Sequence, residues 1–239
     1  KAIPALNEML TEMLSEADRA RIEERIETIK DRHQRSRDEA VALAQEHGKQ
    51  DVITPQWLSH CISEAIDDDT VVLDETVTNS GHVSTYIPRS KPGTMYRSGG
   101  SSLGWATGGA LGVKMAEPDK TVVALSGDGA FIYGAPTSTL WTADVYDAPF
   151  LTVIYTNQIH NAPKASLIGG YPDSYSARTN NWVGMDLGPS VEFAMLAESC
   201  RAYGEKVEAP SEVLPALKRA LERVRNGQAA VLDVRIEKP

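Results

Sequence analysis

Four short runs rich in β-branched and apolar residues recur along the chain: Val71-Val72-Leu73, Thr121 to Leu125, Phe150 to Tyr155, and Ala230 to Ile236. They are short and rich in β-branched residues, and each is separated from the next by helical periodicity. Continuous apolar strands alternating with helices require a parallel sheet covered on both faces, because a parallel pair needs a crossover long enough to be a helix. The predicted class is therefore α/β. The helices are expected from Thr54-Pro55 to about Ile66, Leu103 to Ala116, Thr137 to Tyr146, Val191 to Tyr203 and Ser211 to Arg225. Thr54 followed by Pro55 is a cap with a first-turn proline.

Residues 1 to about 50 read differently. They contain no Trp, Tyr or Phe and are dense in Glu and Arg. Leu6, Met9, Leu10, Met13, Leu14 and Ala17 follow helical spacing. Ser15 to Asp18 marks a fresh helix start, and Ile22, Ile26 and Ile29 form a second stripe. The stretch after Ile29 is almost wholly polar until Gly48, so this part reads as a solvated helical linker, with residues 51–239 as the main domain. With 239 residues, 41% hydrophobic and 24% charged, the chain is globular. The net charge of −9, with Lys and Arg scattered among acids, argues against a nucleic-acid surface. No apolar run approaches the roughly 18–20 residues of a membrane span. Cys61 and Cys200 are too few for a disulfide framework. With no targeting segment visible, the expected setting is the cytoplasm. The start at Lys1 rather than Met reads as the middle of a longer protein.

Chemistry concentrates in Ser126-Gly127-Asp128-Gly129-Ala130, directly after a buried strand. Ligands of parallel sheets bind at the carboxyl ends of strands, and two glycines flanking an acid let the backbone turn there and approach a ligand closely. The next strand ends in Thr156-Asn157-Gln158, one βαβ unit later, so Asp128 and Asn157 should converge. A carboxylate and an amide oxygen are hard ligands, suited to Mg²⁺ or Ca²⁺ rather than zinc. Mg²⁺ with few protein ligands completes its shell from phosphates and water, so the site is expected to hold a metal-bound diphosphate.

Gly127-Asp128-Gly129, followed about thirty residues later by Asn157, resembles the cofactor motif of thiamine diphosphate (ThDP)-dependent enzymes of the 2-oxo-acid decarboxylase and acetolactate synthase superfamily. The glycine-rich stretch from Ser98 to Lys114 resembles the segment that precedes that motif. Leu140 to Ala143 and Leu73 to Thr78 resemble benzoylformate decarboxylase-like members. The resemblance covers about residues 52–239, the diphosphate-binding domain of such enzymes, with residues 1–50 matching the end of a middle domain and a linker. It implies the ThDP-binding fold. It further implies that Mg²⁺ is held by the side-chain oxygens of Asp128 and Asn157 and by the carbonyl of Ile159. Gly129 and Ala130 would touch the diphosphate through their backbone, as would Thr78 and Asn79. Leu103 would wedge under the bent cofactor, and the Ser101 carbonyl would accept from its aminopyrimidine. Gly127, His160 and Asn161 complete the expected cofactor-binding set, with His160 also within reach of substrate.

The chain departs from the pattern in having Thr156 where the family often has a second asparagine, and in lacking the usual glycine-aromatic sequence at Ile159 to Pro163. The family's pyrimidine-activating glutamate lies in a separate pyrimidine-binding domain, for which this chain has no room. Glu75 is not given that role. The implied function is ThDP- and Mg²⁺-dependent cleavage or formation of a carbon–carbon bond next to a carbonyl. The substrate would be a small 2-oxo acid, aldehyde or acyl-CoA, in a homodimer or tetramer whose pyrimidine-binding domain comes from a missing N-terminal part or another subunit. The alternatives are a non-catalytic ThDP-binding module and an unrelated phosphate-binding α/β protein. Trp105 and Trp141 are expected in the core and Cys200 buried on its helix. Residues 159–189 are expected to form a long loop covering the site or an interface.

Overall fold

The structure is a computed structural model that describes residues 2–100, 102–189 and 191–238. The chain divides into two compact units, one up to Ala42 and one from Leu43 onward. The first holds α1 (Ala2–Met13) and most of α2 (Glu16–His47). Ser15 and Asp18 cap the start of α2 reciprocally: the Ser15 hydroxyl donates to Asp18 Oδ2 at 2.6 Å, and Asp18 N–H donates back to Ser15 Oγ at 3.2 Å. No residue of α1 is buried, and Ile26 and Ile29 on α2 are exposed.

The second unit is a six-stranded, wholly parallel sheet. Its strands are β1 (Val71–Glu75), β2 (Met95–Arg97), β3 (Val122–Gly127), β4 (Leu151–Thr156), β5 (Tyr203–Val207) and β6 (Ala230–Arg235), in the order β2-β1-β3-β4-β6-β5. Val71 pairs with Val122, Val123 with Leu151, and Leu151 with Ala230, so the apolar runs lie side by side. Alternate residues feed two cores. On one face Val72, Val123, Leu125 and Val153 pack with α3 (Pro55–Ala65), α4 (Ser80–Tyr86) and α11 (Val213–Arg225). On the other, Leu73, Ala124 and Ile154 pack with α5 (Trp105–Ala116), α6 (Asp128–Tyr133), α7 (Pro136–Val145) and α10 (Phe193–Ser199). Between β4 and α10 lie α8 (Asn161–Gly170) and α9 (Tyr175–Thr179).

The expected parallel α/β sheet with helices on both faces is present, with four corrections. Two strands lacked an apolar signature, β2 (Met-Tyr-Arg) and β5 (Tyr-Gly-Glu-Lys-Val). Both are edge strands, with a neighbour on one side only, and need no continuous apolar run. The helix expected through Tyr203 stops at Ser199, because Arg201 takes φ 66° and Tyr203 pairs with Ala230. Cys200 accordingly caps α10 half-buried rather than lying within it. Trp141 is 56% exposed: α7 buries Thr139, Leu140 and Ala143, and the residue after Leu140 points away from that face. Trp105 is only partly buried, packed against the second core. Finally, 159–189 is not a long loop. It carries α8 and α9 and folds back on itself, with Ile159 bridging Asp186 and His160 N–H donating to the Met185 carbonyl at 2.7 Å.

Candidate functional site

Strand order alone creates a crevice. From β1 the chain passes to β2 on one side, and β3 then continues on the other. The helices following β1 and β3 cover opposite faces: Val83 of α4 lies in one core and Phe131 of α6 in the other. The loops at the carboxyl ends of β1 and β3 diverge, which is where parallel sheets bind ligands. A cavity of about 410 Å³ lies there, walled by the segments after β1, β3 and β4 and by the start of α8.

After β1, the Asp74 carboxylate accepts from Thr76 N–H at 3.0 Å and from the Thr76 hydroxyl at 2.7 Å, folding the chain sharply at the strand end. Val77 then takes φ 54° in a short 3₁₀ turn, Val77–Asn79. That conformation strains a β-branched side chain by roughly 1–3 kcal/mol and is concentrated at functional sites. Thr78 and Asn79 follow and face the cavity.

After β3, α6 begins on Asp128 itself. The Asp128 side chain is buried at 4% exposure. Its Oδ1 accepts from Gly129 N–H at 2.8 Å, and its Oδ2 accepts from Gln158 N–H at 2.7 Å, tying the tip of β3 to that of β4. Burial pushes the Asp128 carboxyl above its ordinary value, and those two N–H donors oppose the push. Gly129 supports the His160 ring. A Cβ there would lie 2.3 Å from His160 Cε1 and 2.7 Å from Nδ1. Tyr133 flanks the same imidazole, ring centroids 6.3 Å apart.

After β4, Asn157 is buried at 7% exposure and its Oδ1 accepts from Ile159 N–H at 3.0 Å. Gln158 between them takes φ 61°, so the backbone doubles back at the cavity wall. Leu103, exposed, borders the cavity from the turn before α5.

Thus Thr78, Asn79, Leu103, Gly127, Asp128, Gly129, Ala130, Asn157, Ile159, His160 and Asn161, all anticipated from sequence, line one cavity. Ser101 lies outside the described residues. Sequence reasoning missed Thr76, Val77, Tyr155, Ala162, Pro163 and Ser166. The signal for two of these was present: Asn161-Ala162-Pro163 places a proline in the first turn of a helix, here α8. Glu75 does not line this cavity. It is 5% exposed and accepts three backbone N–H groups at the head of α5.

Among the lining residues Asp128 offers carboxylate oxygens and Asn157 an amide oxygen, and the Ile159 carbonyl accepts from Asn161 N–H at 3.0 Å. Among the described residues no group of three or more His, Cys, Asp or Glu side chains is placed to hold a metal by itself. A cation here would complete its shell with oxygens of a ligand and water, the habit of Mg²⁺ bound to phosphates. The residues present fit a metal-bound diphosphate.

Comparison with known proteins bears on the same segment. Residues 76–234 match the family model for "Thiamine pyrophosphate enzyme, C-terminal TPP binding domain". The chain is 30% identical over 187 residues to acetolactate synthase isozyme 3 large subunit of Escherichia coli (strain K12), covering 77% of this chain and 31% of that one. It is 26% identical over 187 residues to a probable sulfoacetaldehyde acetyltransferase of Rhizobium meliloti (strain 1021), covering 77% and 30%. The fold is similar to the Rhodococcus jostii RHA1 thiamine diphosphate-dependent 4-hydroxybenzoylformate decarboxylase, with TM-score 0.70, 25% identity, and coverage of 80% of this chain and 34% of that one. The chain thus spans about a third of the length of these relatives. The residues that line the cavity all lie within the matched segment, and the chain belongs to the thiamine pyrophosphate enzyme family through its C-terminal TPP-binding domain.

Proposed function

We propose that this chain supplies the diphosphate- and Mg²⁺-binding half of the cofactor site in an enzyme that makes or breaks a carbon–carbon bond next to a carbonyl. The activity would be of the 2-oxo-acid decarboxylase, carboligase or 2-hydroxyacyl-CoA lyase type. The observation that carries the reading is the convergence of Asp128 and Asn157 from adjacent strand tips on one cavity, with the Gln158 N–H to Asp128 Oδ2 bond joining them. In this reading Asp128, Asn157 and the Ile159 carbonyl hold Mg²⁺. The backbone of Gly129 and Ala130, with Thr78 and Asn79, meets the diphosphate, and Leu103 bears on the rings. When bound, thiamine diphosphate supplies the electron sink for the bond next to the carbonyl. The protein's part would be to hold and orient that group through the residues just named. The Asp128 carboxylate is fixed at the cavity wall by the Gly129 and Gln158 N–H groups, where a cation would meet it. His160, stacked on Gly129, is within reach of the diphosphate or substrate.

The rest of the site would come from a pyrimidine-binding domain, in another part of the protein or another subunit of a dimer or tetramer. Support for this is the length of the relatives, one of them a large subunit. If that domain does not join it, the chain is a ThDP-binding module without turnover. No described helix is long and apolar enough to cross a membrane. The two cysteines are free, which supports a cytoplasmic setting.

The test is Asp128→Ala in the assembled protein, read by calorimetric titration of thiamine diphosphate with Mg²⁺. Binding should weaken by at least a hundredfold, the loss expected when a metal's one charged ligand is removed. Cofactor affinity unchanged by this substitution would show the metal site to be elsewhere.

A further inference from the structure

Leu103 reaches the cavity from a turn that has no cap of its own. Gly104, at the head of α5, carries no side chain and takes φ 94°, so the first N–H groups of α5 would stand unmet inside the protein. Glu75 meets them from the end of β1. Gly104 N–H and Trp105 N–H donate to Glu75 Oε1 at 2.6 and 3.1 Å, and Ala106 N–H donates to Oε2 at 2.9 Å. A buried carboxylate accepting three N–H groups at a helix N-terminus gains from charge-assisted bonds and from the helix dipole together. On its other side Gly104 abuts the end of α6. A Cβ on it would stand 2.5 Å from the Tyr133 carbonyl carbon and 2.6 Å from Gly134 N. Gly104 is therefore clamped between β1 and the helix that carries Asp128, and the backbone of Leu103, its neighbour, is set relative to both.

We propose that Glu75 is a positioning residue: by holding the turn into α5 it sets Leu103 against the ring end of the cofactor while leaving the diphosphate contacts alone. The proposal rests on the thiamine diphosphate reading of the cavity. Glu75 does not line that cavity; its three bonds run to the backbone of Gly104, Trp105 and Ala106, next to Leu103, and Leu103 is the proposed route of its effect rather than Val77, which borders a neighbouring pocket with both. Glutamine has the same shape, but its amide turns one acceptor into a donor facing backbone donors, so the turn loses its hold.

The experiment measures the affinity of the intact enzyme, with Mg²⁺, for thiamine diphosphate and for inorganic pyrophosphate, which can fill only the diphosphate half. It compares wild type, Glu75→Gln, Leu103→Ala and the double variant. Glu75→Gln should bind thiamine diphosphate about tenfold more weakly, the factor expected for about one lost charged hydrogen bond, with pyrophosphate affinity unchanged. The double variant should bind no worse than Leu103→Ala, since both substitutions act through one contact. Equal losses for both ligands, an unchanged thiamine diphosphate affinity, or additive losses in the double variant would overturn the proposal. If Glu75→Gln does not fold, Glu75→Asp, which keeps the charge but withdraws it by one methylene, must show the same selective loss. A wild-type protein that binds neither ligand overturns the cofactor reading and this proposal with it, a result told apart by arising before any substitution.

Discussion

Gly129 illustrates how one atom decides what a site can hold. Its backbone is in ordinary helical conformation; what excludes a side chain is the His160 ring, 2.3 Å from where a Cβ would be. Alanine there must push the imidazole outward, into the cavity it lines. Gly129→Ala is expected to cost about 1–3 kcal/mol, as overpacking does, and to weaken cofactor binding. Adding His160→Ala should recover part of the lost stability, because it removes the obstruction. Thermal unfolding of the two variants side by side checks this. Asp128 and Asn157 were legible as residues because their chemistry is local to a strand end and their spacing is one βαβ unit. The role of Glu75 was not legible, since its three partners lie 29 to 31 residues downstream and are backbone atoms with no sequence signature.

Among the elements, the entry to β1 shows a turn stabilised by charge. Asp67 Oδ1 accepts from Thr70 N–H and Thr70 Oγ1, both at 2.8 Å, and from Asp69 N–H at 3.1 Å. The Thr70 hydroxyl, above all, holds the Asp67 carboxyl below its ordinary value, with the backbone donors adding to it. A carboxyl whose folded value is depressed contributes stability above its unfolded value, near pH 4, and loses it as pH falls through the folded value. Asp67→Asn should therefore destabilise the protein at pH 7 by no more than about 1 kcal/mol, because the group is exposed and screened. The difference should shrink as pH falls below the ordinary carboxyl value and vanish once the folded carboxyl is protonated. Urea unfolding of both proteins across that range measures it. At this scale the central strands could be read from their apolar runs, and the edge strands could not. β2 and β5 are strands because a neighbour offers them hydrogen bonds, and their own residues, among them Arg97, Glu205 and Lys206, show no strand pattern. Likewise α8 begins where the sequence offered Asn161-Ala162-Pro163, a start signal overlooked because the following residues, through Gly169 and Gly170, read as loop.

For the whole molecule, the two cysteines report on the two-sided burial of the sheet. Cys61 on α3 is 1% exposed within the core shared with α11, and burial pushes its thiol up to about 12. Cys200 is half-buried at the end of α10. In native protein at pH 7.5, a thiol reagent should label Cys200 first. Cys61 should react only as fast as the sheet unfolds, so its labelling rate should follow denaturant with the slope of global unfolding. Peptide-level mass spectrometry after timed labelling distinguishes the two. Early labelling of Cys61 would mean that α3 opens independently of the sheet.

Sequence by itself determined the class of fold, because continuous apolar strands joined by helical stretches can bury themselves only as a doubly covered parallel sheet. It also singled out Asp128 and Asn157, whose spacing of one βαβ unit places them at adjacent strand ends on one cavity. The tertiary structure alone decided the order β2-β1-β3-β4-β6-β5, and with it the crevice between β1 and β3. It alone brought Glu75 to the head of α5 and His160 onto Gly129. The physical reason is one of range. Strand burial and donor type are properties of neighbouring residues, whereas strand order, remote helix capping and ring-on-backbone contact depend on how segments far apart in sequence satisfy one another's hydrogen bonds and volume.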